Sequence, residues 1–322
     1  MTNRLAAAAA LTLIIAGCGS TPATRSATQP GPSASASPAS SAPSPSPASA
    51  ALPGGRLIFA RYVGDAGSLF TANPDGTGVA PLPVTGVNPR WSPDGRHLSV
   101  PADNAQGRLF VGVVDPDGRH YVQFTSPDPM LDLGCYAWSP DGSRLACEGW
   151  DESDLSRNGL YTVRATDGGD LVRVTASPHG AHDIPSDYSP DGNEILFTRQ
   201  RLPDEADVTL MVVTLAGGAV RSVSDQRLYG GRWSPDGTTI LLDGDGSLRL
   251  VPVDGGAIRT VRIDSPVHLP ALGGVWSPDG EWILFSGHNE TSWDLYVMRS
   301  NGTDLVQLTD TPGRWEGEVD WR

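Results

Sequence analysis

Histidine and acidic side chains with metal-binding potential occur together in one short stretch of the sequence. His179 and His182 stand three residues apart, and Asp183 follows directly. Imidazole and carboxylate groups are ligands that Zn²⁺ accepts in proteins. The spacing therefore predicts a small metal pocket, while two histidines in a polar loop also occur without any role in metal binding.

Other acids and histidines fall in segments that the turns described below assign to the same face of the fold. The face has two interpretations: it binds a cationic group, a metal ion or a partner protein, or it is the polar loop surface of a net-negative protein. Loops on a rigid scaffold are where binding residues usually lie. The candidate binding residues on this face are His179, His182, Asp183, His268, His288, Asp151, Asp204 and Glu316.

The charge composition excludes several functions. The chain has 322 residues, with 37 acidic and 23 basic side chains, and every basic one is arginine. Without lysine, neither a Schiff-base mechanism nor a P-loop is available. A net charge of −14 argues against a nucleic-acid partner, whose phosphates would be repelled.

The first 17 residues have the pattern of a secretory signal. Arg4 precedes an apolar run from Leu5 to Ile15, which is too short to span a membrane. The run ends in Ala16-Gly17-Cys18, which resembles the bacterial lipobox. This resemblance implies that Cys18 is acylated and that the protein is held at the cell envelope, outside the cytoplasm. An ordinary signal peptide with an incidental cysteine is the alternative.

Residues 18–53 are composed almost entirely of Ser, Pro, Ala and Thr, with no aromatic side chain. Such a segment lacks the apolar surface needed for a core, so we expect a disordered tether between the acylated cysteine and a folded domain.

A five-residue motif, Trp-Ser-Pro-Asp-Gly, organises residues 54–322. Its copies begin 47, 50, 45 and 43 residues apart, and a truncated copy follows after 45 more, a period typical of a four-stranded repeat. Pro and Gly at these positions indicate a turn between two strands. The aromatic residues that begin the copies are expected to pack in the core, and they are Trp91, Trp138, Tyr188, Trp233, Trp276 and Trp321.

The two ends of this region complement each other. The first segment, Arg56 to Ala60, matches the second strand of a repeat, and the last, Glu318 to Arg322, matches a first strand. Joined, they complete a sixth unit. We therefore expect an all-β fold, a six-bladed β-propeller of four-stranded antiparallel blades, closed by the C-terminal strand.

These repeats resemble those of the TolB-type propeller family, whose blades carry the same Trp-Ser-Pro-Asp-Gly turn, a following apolar strand and a later Asp-Gly turn. The resemblance covers residues 54–322 and implies the propeller fold. The family is similar also to the propeller halves of some serine peptidases. This sequence, however, has no Gly-x-Ser-x-Gly nucleophile elbow.

Two cysteines flank the second copy of the motif. If Trp138 pairs with Arg144 across a five-residue loop, Cys135 and Cys147 are directly opposed and a disulfide can join them. Export would permit that oxidation. Two reduced thiols on opposite faces, after a one-residue slip, are the alternative.

These observations favour a monomeric, non-enzymatic binding protein that presents its loop face to a protein or glycan partner in the envelope. No cofactor is expected beyond a possible divalent metal. The alternative is a metal-assisted hydrolase or polysaccharide lyase that acts at the channel mouth.

The lipobox interpretation predicts the effect of Cys18→Ser. Without the thiol no acyl chain is attached, and each buried methylene contributes about 0.8 kcal/mol to membrane binding. The variant should move from the membrane fraction to the medium, as measured by fractionation and immunoblotting. Retention of the variant in the membrane fraction would contradict the lipoprotein assignment.

Overall fold

The structure is a computed structural model that describes residues 52–104, 108–178, 181–201, 207–224, 226, 228–244, 246–265 and 268–322. The described residues form 24 β-strands and one short 3₁₀ helix, Leu155–Arg157. Among them no helix is long and apolar enough to cross a bilayer. The fold is all-β, as the sequence predicts.

The strands fall into repeating units of four. The first strands of the units are β4 (Arg90–Trp91), β8 (Asp132–Trp138), β12 (Ala181–Tyr188), β16 (Tyr229–Trp233), β20 (Ala271–Trp276) and β24 (Trp315–Trp321). The second strands are β1 (Leu57–Val63), β5 (Leu98–Asp103), β9 (Arg144–Trp150), β13 (Glu194–Arg201), β17 (Thr239–Gly244) and β21 (Trp282–His288).

The third strands are β2 (Ala66–Ala72), β6 (Leu109–Val114), β10 (Gly159–Arg164), β14 (Val208–Thr214), β18 (Ser247–Pro252) and β22 (Trp293–Arg299). The fourth strands are short, and they are β3 (Ala80–Leu82), β7 (Val122–Phe124), β11 (Val172–Arg173), β15 (Val220–Ser222), β19 (Arg259–Thr260) and β23 (Val306–Gln307). Short outer strands limit the unpaired edge that each sheet exposes.

Four units form separate four-stranded antiparallel sheets: β4 to β7, β8 to β11, β12 to β15 and β16 to β19. The remaining strands form one eight-stranded sheet. Within it, β20 to β23 follow the same order. The other set has the order β24, β1, β2, β3, so that the last strand pairs with the first. A single parallel pairing of Trp293 with Trp315 joins the two sets.

Each Trp-Ser-Pro-Asp-Gly turn is held by the same hydrogen bonds. In the copy at Trp233, the Ser234 hydroxyl donates to Asp236 at 2.6 Å, and the amide of Thr239 donates to Ser234 Oγ at 3.0 Å. The Thr238 amide donates to Asp236 at 3.0 Å. These bonds hold the pKa of Asp236 below its usual value, the Ser234 hydroxyl having the largest effect. The motif aspartate therefore stabilises the turn in which it lies.

The second unit contains a disulfide between Cys135 and Cys147, with an S–S distance of 1.96 Å. The two cysteines are opposite each other, but the predicted pairing of Trp138 with Arg144 is wrong, because Trp138 lies opposite Leu145. A β-bulge between the cysteine and the tryptophan absorbs the one-residue shift.

The hydrophobic core consists of clusters that each join two neighbouring units. Trp138 packs with Val111 from the preceding unit, and Trp233 packs with Leu196 in the same way. One further cluster joins the two ends of the described chain, since it contains both Leu57 and Trp321. Stability therefore comes from packing between sheets as well as from pairing within them.

The antiparallel order gives the fold two distinct faces. The turn face carries the connections from first to second and from third to fourth strands, including every Trp-Ser-Pro-Asp-Gly turn. The loop face carries the connections from second to third strands and from one unit to the next. This is the division that the sequence predicts.

The last strand joins the first by several independent contacts. Trp321 is opposite Leu57, and Trp315 is opposite Tyr62. The amide of Arg322 donates to the carbonyl of Arg56 at 2.9 Å. Since β24 has no other antiparallel partner among the described strands, these contacts hold it in place.

Deletion of residues 318–322 should therefore destabilise the fold strongly. It removes the buried side chains of Val319 and Trp321, so the loss should exceed the roughly 3–5 kcal/mol of a single Trp→Ala substitution. Chemical denaturation measures it. Deletion of residues 30–34 from the Ser- and Pro-rich segment serves as the control, and equal effects of the two deletions would refute this role of β24.

Candidate functional site

The described loop-face candidates all lie near the loop-face ends of strands, where the sequence predicts them. His182 and Asp183 begin β12, His288 ends β21, Glu316 is the second residue of β24, and Asp151 directly follows β9. His268 precedes β20 and is exposed. The predicted residues His179 and Asp204 lie outside the described residues.

Asp183 is buried, and its carboxylate is hydrogen-bonded to neighbouring side chains of the chain. Arg199 on the neighbouring strand β13 donates from Nε to Oδ1 at 2.7 Å and from a terminal nitrogen to Oδ2 at 2.8 Å. The Thr175 hydroxyl donates to the same carboxylate at 2.9 Å. This bidentate pairing with three donors satisfies the carboxylate.

His182 has a different set of partners from its neighbour Asp183. Its Nδ1 is hydrogen-bonded to the carboxylate of Glu148, which is buried. Its ring is stacked on Trp150 with 3.8 Å between centroids and an interplanar angle of 7°. Since adjacent residues of a strand point to opposite faces, the two predicted metal ligands His182 and Asp183 are engaged separately.

The two other candidate acids among the described residues are also paired with arginines. Asp151 accepts from Arg157 at 2.7 Å, and the hydroxyl of Ser153 helps to hold the pKa of Asp151 below its usual value. Glu316 is fully buried and accepts from Arg61 Nε at 2.5 Å. The loop face is therefore less anionic than its sequence indicates, because much of its acid is neutralised within the chain.

No three His, Cys, Asp or Glu side chains are grouped so that they could hold a metal ion within the part of the chain that the structure describes. His288 contacts Trp293, with 5.1 Å between ring centroids, rather than either of the other described candidate histidines. The metal pocket built on His179 stays a prediction, since that residue is not among those described.

A cavity of about 400 Å³, lined by both polar and apolar side chains, opens on the turn face, where the first strands of all the units meet. The candidate binding residues that the sequence indicates were all predicted for the loop face, and none for this one. Each unit contributes its repeat aromatic and the residue before it. These lining residues are Arg90, Trp91, Ala137, Trp138, Asp187, Tyr188, Arg232, Trp233, Val275, Trp276, Asp320 and Trp321.

Two neighbouring first strands are joined at the cavity by a reciprocal pair of hydrogen bonds. Asp320 on β24 accepts from the backbone amide of Trp91 on β4 at 2.8 Å. Arg90 on β4 donates back to the carbonyl of Val319 at 3.2 Å. We call this arrangement an Asp–Arg joint.

A second Asp–Arg joint connects β12 and β16. Asp187 accepts from the backbone amide of Trp233 at 2.8 Å, and Arg232 donates back to the carbonyl of Ser186. The acid again lies on the first strand of one unit and the arginine on the first strand of the unit that follows, if the unit formed by β24, β1, β2 and β3 is counted first. Two joints of the same geometry thus place two carboxylates and two guanidinium groups around one cavity.

The sequence contains a signal for these joints that the repeat analysis missed. Read from the terminal unit onward, the residue before the repeat aromatic is Asp320, Arg90, Ala137, then Asp187, Arg232, Val275. The order Asp, Arg, apolar therefore occurs twice. A comparison of the residue before the aromatic in all copies would have shown that this position varies in a regular order, whereas the turn itself does not vary.

The cavity holds polar groups that the fold leaves incompletely satisfied. Burial raises the pKa of Asp187 to about 7, although the Trp233 amide opposes the shift. Burial raises the pKa of Asp320 as well. Nε of Arg90 is buried without a hydrogen-bond partner among the described residues. Perturbed acids and an unpartnered donor in one cavity are features of a ligand site.

Comparison with known sequences gives limited information. No family model matches the chain. An uncharacterized protein of Agrobacterium fabrum is 29% identical over 184 residues, which cover 48% of this chain and 58% of the relative. The match therefore spans little more than half of that protein.

Solved structures resemble the fold more completely. TolB from Acinetobacter baumannii has a TM-score of 0.64 at 18% identity, with 83% of this chain and 66% of that one covered. A TolB candidate from Agrobacterium tumefaciens has a TM-score of 0.59 at 17% identity, with 84% and 99% covered. At this identity the likeness concerns the fold alone. The described part of the chain has the β-propeller fold of TolB-like proteins.

Proposed function

We propose that this protein is a lipid-anchored, extracytoplasmic β-propeller that binds a protein partner by a segment inserted into the turn-face cavity. The two Asp–Arg joints around the cavity carry the proposal. A concave site with charges of both signs suits a peptide segment that carries both an acidic and a basic group. The Arg90 and Arg232 guanidinium groups, which line the cavity, offer N–H donors to a carboxylate or carbonyl of the ligand.

The proposal includes a ring of six blades closed by β24. The pairing of β24 with β1 supports it, as does the joint from Asp320 to Trp91, which connects the last strand to the next unit. A closed ring holds the first strands at fixed distances, so that the cavity is formed before the partner arrives. A preformed site reduces the entropy lost on binding.

The anchor and tether extend the proposal to the location of the protein. Acylation of Cys18 would hold the chain at the membrane, and residues 19–51 would connect it to the propeller. Leu52, the first described residue, packs against the core cluster that contains Leu57 and Trp321. The tether would therefore join the propeller on its turn face, near the cavity.

The loop face remains a second proposed surface, for a protein or glycan partner. Asp151, Asp183 and Glu316 are engaged by arginines, so exposed side chains between them would provide recognition. None of the described residues favours the hydrolase or lyase alternative. Metal analysis of purified protein, with and without chelation, tests that alternative directly.

Photo-crosslinking from the cavity tests the proposed binding site. A photoreactive amino acid at Pro278, which lines the cavity, is exposed and belongs to neither joint, should capture one reproducible partner in intact cells. The same label at Val172, which is 46% exposed on an outer strand, is the control. Equal capture from both positions, or none from position 278, would refute the site. Arg90→Gln should reduce capture from position 278.

Asp187→Asn should change how stability depends on pH. The carboxyl titrates near pH 7 when folded and near 3.9 when unfolded. Between these values only the folded state keeps the proton, so the stability contributed by Asp187 is full below about pH 4 and is lost as pH rises through 7. Asparagine cannot titrate. The unfolding midpoint of the variant, minus that of the parent, should therefore rise from pH 5 to pH 8.

Asp191→Asn is the matched control for this measurement. Hydrogen bonds, chiefly from the Ser189 hydroxyl, lower the pKa of Asp191, so it is ionised throughout that range. Its substitution should shift the midpoint equally at both pH values. A pH-independent difference for the Asp187 variant would show that this carboxyl does not titrate near neutrality.

A further inference from the structure

We propose that the turn-face cavity binds an acidic peptide segment, whose Asp or Glu side chains contact Arg90 and Arg232, and that the cavity takes up a proton as the segment enters. This inference rests on the proposed function above, to which it adds the charge of the partner segment and the effect of pH. Its basis is a difference between the charged groups of the cavity and those of the loop face.

The four charged side chains of the two Asp–Arg joints bind backbone groups rather than one another. Asp320 and Asp187 accept from backbone amides, and Arg90 and Arg232 donate to backbone carbonyls. Among the described residues none of the four forms an ion pair with another side chain, whereas the described candidate acids of the loop face are paired with arginines. The charges around the cavity are therefore available to a ligand.

The two arginines keep donors that their joints do not use. A guanidinium has five N–H groups. Towards the described residues Arg90 uses only Nη1, which donates to the carbonyls of Pro89 and Val319 at 3.2 Å. Arg232 likewise uses only Nη1, which donates to the carbonyl of Ser186. Both side chains line the cavity and are partly exposed. Each can therefore donate to a carboxylate through Nη2 while its joint persists.

The sign of the charge in the cavity favours an acidic segment over a basic one. Arginine stays cationic at every pH at which proteins fold, but the two acids do not stay ionised. Burial raises the pKa of Asp187 to about 7 and that of Asp320 as well. The four groups together are neutral when both acids are ionised and net positive once either is protonated. In a chain with a net charge of −14, this cavity is thus a place where a carboxylate is not repelled by its nearest charges.

Asp187 is the group that we expect to take up the proton. Burial is the largest cause of its raised pKa, the nearby Asp320 adds to the rise, and Arg90 opposes it. Tyr136 on β8 and Arg232 on β16 complete the titratable groups that face it across the cavity, with Arg322 at the rim. Charged side chains on β8, β9, β10 and β13, which pack against β12, bind other partners, and they are Asp132, Arg144, Glu148, Arg164, Glu194 and Arg199.

Entry of an acidic segment favours the protonated form of Asp187 for two reasons. A ligand carboxylate at Arg90 adds a negative charge near Asp187, and the ligand excludes water from the cavity. Below about pH 7 Asp187 already holds its proton, so binding needs no further uptake. Above pH 7 the proton must be taken from solution, and the affinity for the segment should fall as pH rises.

Peptide selection tests the charge of the ligand. The full chain carrying Cys18→Ser, immobilised at pH 6, would select from a phage-displayed library of random heptapeptides. Asp and Glu should be enriched over Lys and Arg, and the enrichment should be lost when Arg90→Gln and Arg232→Gln are combined. Arg96→Gln is the matched control, because Arg96 lies on the same face and its side chain is 81% exposed, outside the cavity. No enrichment, enrichment of basic peptides, or equal enrichment on the double variant and the control would overturn the proposal.

Calorimetry with a selected peptide tests the proton uptake. The peptide would contain no histidine and would be acetylated and amidated, so that it does not itself titrate between pH 6 and pH 8.5. Titrations at pH 8 in two buffers of different ionisation enthalpy should show uptake of about half a proton or more, and the Kd should increase roughly 5- to 30-fold from pH 6 to pH 8.5. Asp187→Asn should abolish both effects, and Asp191→Asn should retain them.

Binding without proton uptake, or the same pH dependence in the Asp187 variant and the parent, would refute the coupling. If Asp187→Asn does not fold, the two-buffer titration of the parent decides alone. The outcome is distinguishable from failure of the proposed function. Capture of a partner from position 278 together with selection of non-acidic peptides would leave the binding site standing and overturn this inference, while absence of capture would refute the site itself.

Discussion

The hydrogen bonds inside the Trp-Ser-Pro-Asp-Gly turn are the constraint on which the rest of the structure depends. In each copy the serine hydroxyl donates to the aspartate and accepts from an amide five residues on, as Ser234 does with Asp236 and Thr239. The turn fixes where the first strand ends and the second begins. Because side chains alternate along a strand, the repeat aromatic is directed into the core, and the residue before it is available to line the cavity.

The fold could be predicted from the sequence because its determinants are local. Proline, glycine and aspartate set each turn within a few residues, and the 43- to 50-residue spacing repeats them. The sequence also predicts that Cys135 and Cys147 lie opposite each other, although the pairing of Trp138 from which this was inferred differs by one residue in the structure. The sequence does not indicate β-bulges. One bulge in β8 shifts the pairing by one residue between Cys135 and Trp138, so that Trp138 lies opposite Leu145.

The candidate site could not be predicted in the same way. Asp320 and Trp91 meet across 229 residues of sequence, and only the arrangement of the sheets brings them together. The negative charge of the loop face was overestimated from the sequence for a related reason. The composition gives the number of charges but does not show which of them form ion pairs. In the fold, Arg61 neutralises Glu316, Arg157 neutralises Asp151, and Arg199 neutralises Asp183. Long-range pairing decides both which charges are available and where they are.

The repetition of Asp, Arg and an apolar residue in the two halves of the unit order has a consequence for ligand orientation. Asp320 with Arg90 and Asp187 with Arg232 stand three units apart along the chain. In the proposed six-bladed ring, the two Asp–Arg joints are related by a half-turn about the axis. A ligand that engages one joint therefore meets a second joint with the same pair of charged groups after a half-turn about the axis.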